Sequence, residues 1–181
     1  TLNNAPYTVV NSIADLRTMG GTGNYALGSS LNFITQTDLA LGHNFAPIAT
    51  FTGKFNGLGH TITGMKISIA AANMGMFQVV GAVSDIRNIG LVGGSVSGAA
   101  GSGGLIGSGT TGNVANSYNT GSVLGAAGTG GLVGSITTGS ISNSFTTGKV
   151  TGDAGTGGLV GAITSGGIST SYATGEVSGH G

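Results

Sequence analysis

Between residues 130 and 150 the side chains change character at every second position. Ile141, Asn143 and Phe145 alternate with Ser142, Ser144 and Thr146, the signature of a strand with one buried face. Leu132, Gly134 and Ile136 form a second run of this kind, and Val150 between Lys149 and Thr151 a third. Glycines punctuate the runs, so the pattern predicts three short strands joined by tight bends.

The same pattern returns every 27 residues across 99–179. The units read AAGSGGLIGSGTTGNVANSYNTGSVLG, AAGTGGLVGSITTGSISNSFTTGKVTG and DAGTGGLVGAITSGGISTSYATGEVSG, with no insertion between them. A fixed period of this length marks a solenoid, in which each unit buries its apolar face only by stacking on the next. Helical repeat families are opposed by the glycine, and the leucine-rich pattern is missing. Strands remain. The prediction is therefore an all-β protein, a parallel β-helix with about 27 residues and three short strands per coil. Its core ladders would be Leu105, Leu132 and Leu159; Tyr118, Phe145 and Tyr172; and Val123, Val150 and Val177.

Residues 1–98 read as the less regular opening of the same solenoid. The run 7–10 is β-rich. Residues 12–19 (SIADLRTM) have helical spacing, with Ser12 as N-cap, Asp15 three residues later and Gly20-Gly21 as a stop. Such a short helix would cover one end of the stack, where an open edge invites pairing with another sheet. Strand candidates follow at 25–33, 51–55, 60–65 and 66–69. Thr1 reads as a cut point within a longer polypeptide, and the period predicts further coils beyond Gly181.

Composition narrows the choice further. Glycine supplies 39 of 181 residues, against ten charged residues, two prolines and no cysteine. Collagen is excluded because glycine does not recur at every third position. Charge-driven disorder is excluded by a mean hydropathy of +0.33. Five basic and five acidic residues give a net charge of zero, which leaves no electrostatic footprint for a nucleic-acid partner. No uninterrupted apolar stretch is long enough for a membrane span.

At the level of motifs, the segments 24–27 (NYAL), 45–48 (FAPI) and 51–62 (FTGKFNGLGHTI) resemble the passenger region of large bacterial surface exoproteins of the filamentous haemagglutinin type. The Gly-Leu-Ile/Val-Gly at 104–107, 131–134 and 158–161 resembles the GLUG motif of such proteins. The resemblance implies a right-handed parallel β-helix displayed outside a bacterial cell, as the shaft of an adhesin exported by two-partner secretion. The secretion module of that family, with its Asn-Pro motifs, has no counterpart in these residues.

Residues able to carry chemistry are sparse. The stretch 101–107 lacks the Lys-Ser/Thr of a phosphate-binding loop and puts Ile106 where a dinucleotide fingerprint needs glycine. The acidic residues Asp15, Asp38, Asp85, Asp153 and Glu176 share no register that would pair two carboxylates as glycosidases require. His43, His60 and His180 form no ligand spacing. The expectation is no catalytic residue, no metal and no cofactor. The aromatic row at 118, 145 and 172 suggests a sugar platform, but alternation with Val114, Ile141 and Ile168 assigns it to the core. Threonine rows at 110, 137 and 164 and at 120, 147 and 174 resemble ice-binding arrays, yet their place beside glycine suits turns better.

If Leu132 and Ile136 face inward, alternation turns Val133 outward. Ile106 and Val160 follow in register, giving a candidate lateral contact row; the competing reading is that the bend turns these side chains inward. The function expected is a non-catalytic extracellular structural or adhesive shaft, whose partner is a host or surface ligand or copies of itself. A self-assembling filament or sheath subunit and a polysaccharide-acting enzyme are the alternatives.

Overall fold

A computed structural model describes residues 5–36 and 42–180. Over these the chain winds as a parallel β-solenoid of about six turns. One sheet of nine strands runs the length of the molecule. It opens with the short strands Thr8–Val10, Asn24–Leu27, Ile48–Phe51, Lys54–Asn56, Phe77–Val80 and Ser84–Arg87, and continues with the ten-residue strands Ile106–Ala115, Val133–Ser142 and Val160–Ser169. A second sheet stacks Leu31–Asn32, Thr61–Thr63, Gly90–Val92, Tyr118–Asn119, Phe145–Thr146 and Tyr172–Ala173. The third stacks Lys66–Ser68, Ser95–Ser97, Ser122–Leu124, Val150–Gly152 and Val177–Gly179. The registered pairings are parallel and place Val133 beside Ile106 and Val160, and Phe145 beside Tyr118 and Tyr172.

The expected three strands per coil are present, with one boundary displaced. Residues 133–142 form one long strand, and the run from Ile141 to Phe145 is not continuous. Asn143 breaks it with φ 47°, a left-handed conformation that asparagine tolerates better than most side chains. Asn88, Asn116 and Thr170 do the same at the corresponding corners, with φ 56°, 50° and 48°.

The predicted short helix is also present, over Ile13–Arg17. Ser12 accepts from the Asp15 amide, and the Asp15 carboxylate accepts from the amides of Ser12 and Asn11, a reciprocal arrangement that satisfies amides the helix leaves unpaired. These bonds, the one from Asn11 foremost, hold the Asp15 carboxyl below its ordinary pKa. Leu16 is fully buried. Arg17 lies over the Phe33 ring and donates to the Asn44 carbonyl at 2.6 Å, which fastens the helix to the first coils.

Inside, the opening coils are packed with aromatic rings. Phe51 and Phe77 lie 4.7 Å apart between centroids, Phe55 meets Phe77 at 5.4 Å and Phe33 meets Phe45 edge-on at 5.8 Å. The repeats fill the same interior with Leu, Ile and Val. Leu105 and Leu132 are fully buried and Leu159 nearly so, and amide-to-carbonyl bonds of 2.9 Å link the three in register. Val123 and Val150 are likewise buried, whereas Val177, in the last described coil, is 45% exposed.

Candidate functional surface

The row proposed for lateral contact is not on the surface. Ile106 and Val133 are fully buried and Val160 packs against the same core, so the expectation of an outward row is corrected. The reason is a bend that alternation ignores. The amides of Leu132 and Val133 both donate to the Leu159 carbonyl, at 2.9 and 3.1 Å, and those of Leu105 and Ile106 both donate to Leu132. Successive amides of a straight strand point to opposite sides. Here the chain turns between the two residues, so both side chains enter the core. The bend is tight because a loop of the preceding coil crosses it: a Cβ at Gly134 would collide with the Gly101 carbonyl.

The aromatic row is corrected in the opposite sense. Tyr118 and Phe145 are only partly buried, while Ser117, Asn119, Ser144 and Thr146 beside them are buried. The left-handed residue at each corner shifts the alternation by one, so Ile141 faces in, Ser144 faces in and Phe145 faces out. Inward-facing polar groups are satisfied locally. Asn119 donates to the Gly131 carbonyl at 2.8 Å, and Thr146 donates to the Gly158 carbonyl at 2.7 Å.

Outside, the three rings form a ladder. Tyr118 and Phe145 lie 4.8 Å apart with planes 4° from parallel, and Phe145 and Tyr172 lie 5.2 Å apart at 6°. Parallel rings at this spacing are offset-stacked, each covering part of its neighbour's face. The ladder thus presents mostly ring edges. It stops above Tyr118, because the residue in register there is Gly90. A Cβ at Gly90 would collide with the Tyr118 ring, which leans across it.

A cleft of about 510 Å³ opens at the head of this ladder, lined by Leu58, Gly59, Asn88, Ile89, Gly90, Asn116 and Tyr118. Register explains it. Arg87 and Gly90, like Ala115 and Tyr118 below them, flank a corner of two residues, but Asn56 and Thr61 in the coil above flank one of four. The longer corner overhangs the cleft and carries Leu58, 48% exposed with φ 52°. An asparagine chain runs down the corner beside it. Asn88 donates to the Asn56 side chain at 2.9 Å and Asn116 to the Asn88 side chain at 3.0 Å. Sequence reasoning missed this cleft, although the extra residues in 57–60 were its one visible signal.

Charged groups are few and scattered. Arg87 pairs with Asp85, which raises the guanidinium pKa, and exposed Lys149 bonds Glu176 at 2.9 Å, which lowers that carboxyl. Asp153 accepts a bond from Thr156 through its backbone carbonyl. Asp38 lies outside the described residues. Among the described residues no group of three or more His, Cys, Asp or Glu comes together to hold a metal ion, and no helix is long and apolar enough to cross a membrane.

No family model matches the chain. Over 125 residues, 65% of its length, it is 33% identical to Halomucin of Haloquadratum walsbyi, of which the match spans 1%. The chain therefore corresponds to a very small part of that relative. Its fold is similar to the crystal structure of a "putative immunoglobulin A1 protease" from Bacteroides ovatus, with a TM-score of 0.59 at 18% identity over 91% of this chain and 74% of that one. At that identity the likeness is one of fold, and it places this chain among parallel β-solenoids.

Proposed function

We propose that this chain is a non-catalytic structural segment of an extracellular surface protein, serving as a stiff shaft that can carry adhesive contacts. The observation that carries the reading is the uninterrupted nine-stranded parallel sheet, continued coil on coil by 27-residue units in one register. A stack of this kind gains length by adding units, each held mainly by its neighbours. The likeness to a small part of Halomucin supports a role as one stretch of a long polypeptide. The scattered carboxylates support a role other than hydrolysis. The resemblance to haemagglutinin-type exoproteins and GLUG repeats supports display at the cell surface.

Antibodies against residues 99–179 test the reading on intact cells of the source organism. Surface labelling before permeabilisation, removed by brief external protease, is the expected result. Labelling that appears only after permeabilisation overturns it.

A further inference from the structure

The cleft above Tyr118 combines three features. It is an open recess whose volume of about 510 Å³ falls within the range of about 300–1,000 Å³ typical of small-molecule sites. Its rim residue Leu58 holds a left-handed backbone at φ 52° within the four-residue corner that the later coils shorten to two. That conformation is costly for a bulky side chain, and such outliers concentrate at ligand clamps. Third, open hydrogen-bonding groups line it: among the described residues the Tyr118 hydroxyl makes no hydrogen bond, and Asn116 uses its amide nitrogen alone, leaving its oxygen open.

We propose that this cleft binds a neutral saccharide. The lining residues Leu58, Asn88, Ile89, Gly90, Asn116 and Tyr118 include no carboxylate, ammonium or guanidinium, so nothing in the recess balances the charge of a uronic acid or a sulfate. Leu58 and the edge of the leaning Tyr118 ring offer apolar surface to the C–H groups of a sugar. The Asn116 oxygen and Tyr118 hydroxyl offer an acceptor and a donor to adjacent sugar hydroxyls. Gly90 lets the Tyr118 ring lean over it, because a side chain there would collide with that ring. The ladder below contributes little, its ring faces being covered by one another. The proposal gives the shaft a ligand class, yet binding by the purified chain is independent of where the protein resides, so its failure and the failure of the surface assignment are separable.

The test is a titration of the isotopically labelled protein with cellohexaose, xylohexaose, laminarihexaose and chitohexaose, followed by amide chemical shifts, with hexagalacturonate as the anionic comparison. At least one neutral oligosaccharide is expected to bind in the millimolar range or tighter, with shifts centred on 58–60, 88–90 and 116–118. Leu58→Gly removes the rim without disturbing the core; it should weaken binding about tenfold, as loss of one apolar contact predicts, while the melting temperature holds or rises. Tyr118→Ala should abolish binding. Silence of all four neutral probes, shifts centred elsewhere, equal binding of hexagalacturonate, or undiminished binding by Leu58→Gly would each overturn the proposal.

Discussion

The phenylalanines divide the molecule in two. Five of the six lie between residues 33 and 77 and are fully buried, packed ring against ring; the sixth, Phe145, is only partly buried, on the outer face of a repeat. The opening coils vary in length and close their interior with whichever large side chains fit the space. The repeats vary hardly at all, so one coil's interior must be the next coil's floor, and Leu, Ile and Val in fixed register fill it. The difference shows two ways of making one fold: unique packing of large rings, or repetition of a small unit whose bends admit only small residues.

The largest expected effect falls in the repeats. Leu132→Asp places a carboxylate against Leu105 and Leu159 with no partner in reach, and should cost about 5 kcal/mol or more. Thermal unfolding checks it, and a midpoint within a couple of degrees of the parent, on the scale set by about 1 kcal/mol, would show that the Leu ladder is not the core.

Next comes the row that turned inward. Changing Ile106, Val133 and Val160 together to Thr should cost about 4 kcal/mol, since buried hydroxyls without partners are penalised at about 1–3 kcal/mol each. Unchanged stability, with a change only in self-association, would restore the outward reading.

Phenylalanine truncation tests the contrast between regions most directly. Phe77→Ala should cost about 4 kcal/mol, within the range for buried rings, whereas Phe145→Ala should cost about 2 kcal/mol, the worth of its two outer stacking pairs. Equal losses in denaturant titrations would erase the distinction drawn between interior and exterior rings.

The smallest effect concerns the cap. The Asp15 pKa is lowered in the folded state, so its contribution is present above the ordinary carboxylate value and is lost as pH falls through the lowered one. The protection of the Asn11 and Ser12 amides, measured as exchange relative to the intrinsic rate at each pH, should therefore fall at acid pH in the parent. In Asp15→Asn it should be low already at neutral pH; identical protection in the two proteins would remove the capping box from the account.

The amino-acid sequence by itself determined the fold class, the 27-residue period, the inward Leu105, Leu132 and Leu159, the inward Val123 and Val150, and the helix capped by Ser12. These follow from local rules, since periodicity, capping and glycine content act over a few residues or one repeat. Which side the aromatic and Val133 rows face was decided only by the tertiary structure. Alternation holds within a strand and fails at a corner; the left-handed Asn143 shifts it by one, and the bend between Leu132 and Val133 sends both inward. The cleft at Tyr118 belongs to the same class, because it exists only where a longer corner from one coil overhangs a glycine in the next.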